Sequence, residues 1–466
     1  MIAILCTLLS AAGFYFSFGL GDCWPLAWLS AIPVLWLAFG ESRAVTIFFA
    51  AWASFALGSC HAIEAYGALF PTFVMALLVL GPSLFFAFSV MAARRIALAF
   101  GPTAGAFGFA VVWTASDFLT AAFHDGAVTS PAHTQVSAPF LIQGASVFGL
   151  WVVTFLLGFF AAGLAATLRT RKPLPAVLAI ALVAANAAFG IWRIDGAAAG
   201  PVTRVGMAVD DSLFHDSHTA SAASANKVAD AYVGAARKLA AQGATLIVFP
   251  EKVALLHPEW RQGVADKLAA VSRETHTTIV IGFDETAQDR VNEALVFTPD
   301  AAAQTYRKRH FVTGLEDHYK AGPGSFVLPD ATGVEICKDM DYPAMLRADQ
   351  SKDHPTLRAV PAWDFGADAL AHTKPAILRG VEDGFALARS ARESLLTMTD
   401  AYGRVVAMKP SSDAGMVTLV GDVPRGPGDT LYVHIGDVFA WTCVAASLGL
   451  LGFAFARRRA GPKTSA

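Results

Sequence analysis

Val334-Glu335-Ile336-Cys337-Lys338-Asp339 (residues 334–339) is a short, mostly apolar run that ends in a cysteine, within the longest polar part of the chain. The chain has five cysteines. The others lie in or beside long apolar segments: Cys6, Cys23, Cys60 and Cys443. Cys337 therefore has neither a disulfide partner nor a second thiol for a metal in its own part of the chain. A lone thiol at the end of a strand-like run is a candidate nucleophile.

On both sides of this stretch, the amino-acid composition divides the chain into apolar and polar parts. Hydrophobic residues make up 55% and charged residues 15% of the 466 residues, whereas ordinary soluble domains carry roughly 25% charged residues. The charge is concentrated in residues 200–430, which we expect to form a soluble domain, and residues 1–192 and 435–456 are strongly apolar. The net charge of −2, with no basic stripe outside the membrane flanks, predicts no nucleic-acid partner.

The apolar parts predict a polytopic α-helical membrane bundle with about eight spans, because one spanning helix needs about 20 mostly apolar residues. The expected spans are residues 2–20, 24–40, 45–62, 71–93, 103–123, 139–168 and 174–192, followed by a last helix at 435–456. Asp117 lies within the fifth of these spans. We expect it to be a bundle-facing carboxylate held by hydrogen bonds rather than a catalytic group.

Lysine and arginine occur in alternate loops between these spans. The basic loops contain Arg43, Arg94 and Arg95, Arg169 to Lys172, and Arg457 to Arg459, whereas the intervening loops, such as residues 124–126, contain none. Basic loops remain on the cytoplasmic side of a membrane. We therefore expect both termini to be cytoplasmic and residues 193–434 to lie outside the cytoplasm.

Residues 200–430 alternate between strand-like and helix-like segments. Strands are expected at 202–209, 246–249, 278–283, 294–297, 334–336, 395–399 and 405–408, and helices at 217–241, 258–275 and 368–383. Apolar strands that alternate with helices predict an α/β domain with helices covering the faces of a sheet. Ligand sites in such domains collect where the strands end.

Glu251, Lys308 and Cys337 each follow a predicted strand or lie in the loop after one. The reactive form of cysteine is the thiolate, and a free thiol is mostly protonated at neutral pH, so Glu251 is interpreted as the general base. Attack on an acyl carbon creates an oxyanion, which Lys308 and the backbone N–H of Lys338 could stabilise. Each residue alone has an ordinary explanation as a surface charge or a small buried thiol. Their order and strand context together favour nucleophilic catalysis.

Three motifs resemble the Glu–Lys–Cys pattern of the nitrilase, or carbon–nitrogen hydrolase, superfamily: Phe249-Pro250-Glu251, Tyr306-Arg307-Lys308-Arg309-His310 and Ile336-Cys337-Lys338-Asp339. Asn292-Glu293-Ala294-Leu295 also resembles that superfamily. The resemblance implies an α-β-β-α sandwich whose catalytic residues are Glu251, Lys308 and Cys337.

The arrangement of an external domain between a multi-span bundle and a last span resembles the apolipoprotein N-acyltransferase family. This resemblance implies an enzyme of the bacterial inner membrane that moves an acyl chain from a phospholipid to an amine, such as a lipoprotein N-terminus, through a thioester on Cys337. Glu316 matches a second essential glutamate of the family and, with Lys338, is expected to support the triad. Arg389-Ser390-Ala391-Arg392 resembles the family's arginine strand. No cofactor or metal is expected, and the histidines show no paired metal-ligand spacing.

The chain departs from this family after both the glutamate and the cysteine. Lys338 and Asp339 stand where Tyr and Glu are usual, Lys252 stands where a small polar residue is usual, and residues 124–138 lack the pattern Gly-x-Pro-Trp. We expect these changes to lie where the substrate binds. They leave two alternatives open, namely a membrane-tethered amidase or nitrilase-type hydrolase, and a conjugal-transfer or assembly factor with a vestigial site.

Overall fold

The computed structural model describes residues 1–123, 126–197, 200–286, 289–366 and 368–459. The chain divides into two compact units, which are Met1–Gly196 with the chain from Ile435 onward, and Ala197–His434. His124 and Asp125 of the expected outer loop, and the side chains of Arg458 and Arg459, lie outside the described residues.

The first unit is helical. Its described helices are Ile2–Ser17, Trp24–Ala27, Ile32–Ala38, Ala44–Gly58, His61–Tyr66, Thr72–Phe100, Pro102–Phe123, Pro131–Gln135, Pro139–Ile142, Ala145–Phe148, Trp151–Thr170, Leu174–Asp195 and Val438–Arg459. Six segments of the described chain are long and apolar enough to cross a membrane: Ala44–Tyr66, Thr72–Phe100, Pro102–Phe123, Trp151–Thr170, Leu174–Asp195 and Val438–Arg457. The structure thus has the expected polytopic helical architecture, with three further apolar segments that are shorter: Ile2–Ser17, Trp24–Ala38 and Pro139–Phe148.

The expected span at residues 139–168 begins later in the structure than the sequence predicts. Its first part forms two short helices, and the long helix starts at Trp151. Gly149 has a φ of 70°, a left-handed backbone conformation that ends helices and that glycine adopts without steric penalty. Because the apolar run continues through this break, composition alone does not reveal it.

Asp117 is held by hydrogen bonds, as the sequence predicts. Its Oδ2 accepts from Ser130 Oγ at 2.6 Å and from Thr154 Oγ1 at 2.7 Å. A second carboxylate of this unit, Asp437, accepts from Trp151 Nε1 at 2.8 Å. Hydrogen bonds of this kind join helices of the bundle where an unpaired carboxylate would be costly.

The second unit contains two β-sheets. Its described strands are β1 (Val202–Val209), β2 (Leu246–Val248), β3 (Leu255–Leu256), β4 (Thr278–Glu285), β5 (Val291–Phe297), β6 (Gln304–Arg307), β7 (Thr332–Val334), β8 (Leu357–Trp363), β9 (Ala386–Arg392), β10 (Leu395–Thr399), β11 (Val405–Pro410) and β12 (Val417–Pro424). One sheet has the order β12-β1-β2-β4-β5-β6, with β3 paired to β4, and the other has the order β11-β10-β9-β8-β7.

The described helices of this unit are Asp211–Leu213, Phe214–Ser217, Ala222–Ala241, Pro258–Thr275, Cys337–Asp341, Pro343–Asp353, Ala369–Asp383 and Leu431–Ile435. Helices Ala222–Ala241 and Pro258–Thr275 cover the outer face of the first sheet through an apolar cluster that includes Tyr232, Phe249 and Leu268. A second apolar cluster lies between the two sheets, and Ala369–Asp383 packs on the second sheet. The unit is therefore the α-β-β-α sandwich that the nitrilase resemblance implies.

Strand β8 was not predicted, although it is a central strand paired with β7 and β9. It contains Arg358 and Pro361, and proline in a strand argues against a central position because it lacks a backbone N–H donor. Both residues are buried in the structure, and Arg358 pairs with Glu335 at 2.5 Å. Pairing with β7 and β9 thus holds this segment as a strand, although its local sequence pattern is unfavourable for one.

Candidate active site

Glu251 lies in the loop after β2 and is almost completely buried. Its Oε1 accepts hydrogen bonds from Asn292 Nδ2 at 2.5 Å and from Lys308 Nζ at 2.9 Å. Its Oε2 is buried and has no hydrogen-bond partner among the described residues. A Cβ on Gly282 would come within 2.5 Å of Glu251 Cα, so glycine at that position allows the glutamate loop to lie directly on β4. One carboxylate oxygen is therefore fixed and the other is available to accept a proton.

Lys308 follows β6 and is buried between two carboxylates. Its Nζ donates to Glu251 Oε1 at 2.9 Å and to Glu316 Oε2 at 2.7 Å. Burial works against the charged form, but Glu251 and Glu316 outweigh it and raise the pKa of Lys308 well above its ordinary value. Lys308 is therefore a fixed positive charge and does not exchange protons at neutral pH.

Glu316 links Lys308 to Lys252. Its Oε1 accepts from Lys252 Nζ and, at 3.3 Å, from Asn292 Nδ2, and its Oε2 also accepts from the backbone N–H of Val312 at 3.0 Å. Burial opposes ionisation of Glu316, but Lys308 and Lys252 outweigh it and lower its pKa to about 2. The structure thus places Glu316 against Lys308, where the sequence predicts a supporting residue.

Cys337 begins the short helix Cys337–Asp341 in a left-handed conformation, with a φ of 41°. Its Sγ donates to the carbonyl oxygen of Trp363 at 3.5 Å. Burial is the main cause that raises the pKa of the thiol; the Glu251 carboxylate raises it further, and Lys308 lowers it. Glu251 and Lys308 thus lie close enough to Cys337 to shift its pKa, and the resting thiol is protonated.

Asp339 is not a substrate-facing residue, so the expectation that the changes after the cysteine lie where substrate binds is wrong at this position. The carboxylate is fully buried. It accepts from the backbone N–H groups of Arg309 at 3.1 Å, His310 at 2.9 Å and Ile336 at 3.2 Å. Asp339 therefore ties the loop that carries Lys308 to the loop that carries Cys337. Its neighbour Lys338 is also buried, and its Nζ lies 3.2 Å from Asp341.

Two contributors to the site were assigned no role from the sequence. Asn292 donates to both glutamates that contact Lys308, and its position before the lysine motif was the only signal for it. Asp364 follows Trp363 and forms a bidentate pair with Arg389, at 2.6 and 2.9 Å. This pair places a buried guanidinium beside Cys337.

Two protein-family models match this chain, one in each unit. Residues 10–163 match the family model of the apolipoprotein N-acyltransferase N-terminal domain, and residues 215–363 match that of the carbon-nitrogen hydrolases. A protein of Geobacter metallireducens named apolipoprotein N-acyltransferase is 26% identical over 374 residues, which cover 71% of this chain and 70% of that protein. A protein of the same name from Azotobacter vinelandii is 25% identical over 492 residues, covering 94% and 92%. The solved amidase from Nesterenkonia sp. aligns with a TM-score of 0.41 at 17% identity, covering 53% of this chain and 97% of that chain.

Proposed function

We propose that this chain transfers an acyl chain from a phospholipid to an amine. The premise is that it is a membrane-bound nitrilase-superfamily protein that resembles apolipoprotein N-acyltransferase. The observation that carries the proposal is the protonation of the thiol together with the hydrogen bonding of Glu251. A protonated, partly buried thiol lies beside a glutamate that has one oxygen fixed by a lysine and the other without a hydrogen-bond partner among the described residues. Such a site can deprotonate its own nucleophile and hold an anion that forms next to it.

In the first half-reaction, Glu251 accepts the proton of the Cys337 thiol as the sulfur attacks the ester carbonyl carbon of the lipid. A C–S bond forms, and the negative charge on the carbonyl oxygen is stabilised by Lys308 and by the backbone N–H of Lys338. Collapse of the intermediate breaks the C–O bond, and Glu251 gives its proton to the departing glycerol oxygen. A lysophospholipid leaves, and the acyl chain remains on Cys337 as a thioester.

In the second half-reaction, a neutral amine attacks the thioester carbonyl. Glu251 accepts a proton from the amine, the C–S bond breaks, and the thiolate recovers that proton from Glu251. The product is an amide, and the enzyme returns to its resting state. Because Lys308 keeps its charge throughout, proton transfer is confined to Glu251.

The acceptor in this proposal is the N-terminal amine of a lipoprotein, since the relatives are named apolipoprotein N-acyltransferases. Those names favour an acyltransferase over the amidase alternative and over a conjugal-transfer or assembly factor with a vestigial site. The names and the apolar helices also support a location in the bacterial inner membrane. We propose further that both termini are cytoplasmic and that residues 193–434 are periplasmic, which the pattern of basic loops favours.

The proposal is tested by intact-mass spectrometry of the detergent-solubilised protein incubated with phospholipid and no acceptor. We expect one acyl chain on Cys337, removed by hydroxylamine and by a lipopeptide with a free N-terminus. Cys337→Ala should carry no adduct, and Glu251→Gln should acquire it far more slowly than wild type. Cys23→Ala, which removes an exposed cysteine outside the site, should behave as wild type. No adduct in the wild type, or an adduct that persists in Cys337→Ala, would contradict the proposal.

A further inference from the structure

Arg392 is a cation that lies buried in the second unit. It ends strand β9 and is 4% exposed. Its Nη1 donates to Ser217 Oγ at 3.0 Å and to the carbonyl oxygen of Lys252 at 2.9 Å. No ion pair to Arg392 occurs within the part of the chain that the structure describes. By contrast, the buried arginines Arg358, Arg379 and Arg389 each contact a carboxylate.

An unpaired buried guanidinium is energetically costly, because its charge has left water without a matching anion. Accordingly, burial lowers the pKa of Arg392, although Tyr232, Glu393, Asp211 and Glu251 act in the opposite direction. Glu393 is engaged elsewhere, since it accepts from Trp363 Nε1 at 2.7 Å. An anion brought by a ligand would offset this cost.

Lys252 and Arg392 place two cations beside the aromatic ring of Trp363. The guanidinium of Arg392 lies 5.0 Å and the ammonium of Lys252 lies 5.6 Å from the centre of the Trp363 ring. Lys252 is 11% exposed, and its ammonium shares Glu316 with Lys308. Lys252 also follows the proposed general base directly in the sequence.

Trp363 also contacts the proposed nucleophile, Cys337. The carbonyl oxygen of Trp363 accepts from the Cys337 thiol, and the Trp363 ring contacts Phe214, with ring centres 6.1 Å apart. Phe214 is 41% exposed, so apolar surface is accessible next to the two cations. Exposed apolar surface, two cations and a thiol thus surround one residue, Trp363, and these are the groups that the acyl chain, the phosphate and the ester carbonyl of a phospholipid would contact.

We propose that Arg392 and Lys252 bind the phosphate of the acyl donor, so that the preferred donor is an anionic phospholipid. The inference rests on the proposed function and specifies its substrate. Arginine binds phosphate oxygens in a bidentate manner. A zwitterionic lipid carries the same phosphate, but its ammonium group lies close to it and is repelled by these cations. Arg392 and Lys252 are thus specificity-determining residues for the headgroup.

The test compares acyl-enzyme formation on Cys337 from phosphatidylglycerol, phosphatidylethanolamine and diacylglycerol with identical acyl chains in a neutral detergent. We expect wild type to react about tenfold faster with phosphatidylglycerol than with phosphatidylethanolamine. Arg392→Gln and Lys252→Gln should each reduce that ratio towards one, through a higher KM for phosphatidylglycerol, and Arg392→Lys should retain part of it. The matched control Arg237→Gln removes an exposed arginine that pairs with Glu274 and should leave the ratio unchanged.

Equal rates for the two phospholipids in wild type would overturn the inference and leave the proposed function standing. It would also be overturned if the variants slowed all three donors by the same factor, because that result indicates a structural role. If Arg392→Gln does not fold, the wild-type preference and Lys252→Gln decide the question. Failure of every donor to acylate Cys337 would overturn the proposed function and this inference with it.

Discussion

At the scale of single residues, the charge of Glu251 affects the pKa of the Cys337 thiol. Burial keeps the thiol in its neutral form, and the Glu251 carboxylate adds to this effect because a thiolate beside it would be repelled. The raised pKa means that the folded protein holds the thiol proton more tightly than the unfolded chain does. The thiol therefore stays protonated from neutral pH through the ordinary cysteine value of 9.0 and loses its proton only above it. The proposed reaction at neutral pH then requires that the proton move to Glu251 as the substrate arrives.

This coupling predicts opposite effects of Glu251→Gln on thiol ionisation and on acyl transfer. Removing the carboxylate leaves Lys308 beside the thiol, so the pKa of Cys337 should fall, and alkylation by iodoacetamide should begin at a lower pH than in wild type. Acyl transfer should fall by roughly 10²–10⁴-fold, the usual contribution of a general base. The alkylation profile is measured by mass spectrometry of the peptide that carries Cys337.

Glu259→Gln is the matched control, because Glu259 is an exposed glutamate on the helix Pro258–Thr275. It should change neither the alkylation profile nor the transfer rate. If Glu251→Gln moved the alkylation profile to higher pH, the carboxylate would be stabilising the thiolate, and the proposed role as general base would be wrong.

At the scale of secondary-structure elements, the site depends on how the loops after two strands are joined. Lys308 follows β6 of one sheet, and Cys337 follows β7 of the other. Asp339 bridges these loops by accepting three backbone N–H groups. Backbone donors that lose such an acceptor in a buried position cost about 1–3 kcal/mol each.

Asp339→Asn should therefore destabilise the unit Ala197–His434, because an amide NH₂ would face at least one of these donors. We expect the free energy of unfolding to fall by about 3 kcal/mol, as a lower melting temperature followed by circular dichroism. Acyl transfer should also fall, because Lys308 would no longer be held against Glu251.

The control for this change is Asp413→Asn, an exposed position between β11 and β12. It should leave both stability and activity at wild-type values. Wild-type stability of Asp339→Asn, or a loss of activity reproduced by Asp413→Asn, would show that the carboxylate does not join the two loops.

The elements that the sequence predicted well are those whose local pattern and tertiary environment agree. The helix Pro258–Thr275 and strand β1 have the expected bounds, because their apolar faces match the layer they pack against. Strand β8 was missed because Pro361 lowers its strand propensity, and only pairing on both sides makes it a strand. Likewise, the proposed catalytic residues were predicted from motifs, whereas the role of Asp339 depends on distances between loops that no linear pattern records.

At the scale of the whole molecule, the basic loops of the helical unit gather at one end of the bundle. Arg94 Nη1 donates to the carbonyl oxygens of Ala38 at 3.0 Å and Gly40 at 2.7 Å. The guanidinium of Arg169 lies 4.4 Å from the centre of the Trp36 ring, and that of Arg457 lies 5.4 Å from the centre of the Phe100 ring. These contacts agree with the alternation of basic loops in the sequence, and the positive-inside rule supports the proposal that this end is cytoplasmic.

The final prediction concerns the side of the membrane on which each unit lies. Lys172→Cys introduces a thiol in an exposed basic loop, and Ala414→Cys introduces one at an exposed position of the sandwich. In intact cells, a maleimide that does not cross the inner membrane should label Ala414→Cys above the background of the native cysteines, measured on wild type. It should label Lys172→Cys only after the membrane is disrupted. The reverse pattern would place Cys337 in the cytoplasm. The site would then lack access to exported lipoproteins, and the proposed acceptor would have to be a cytoplasmic amine.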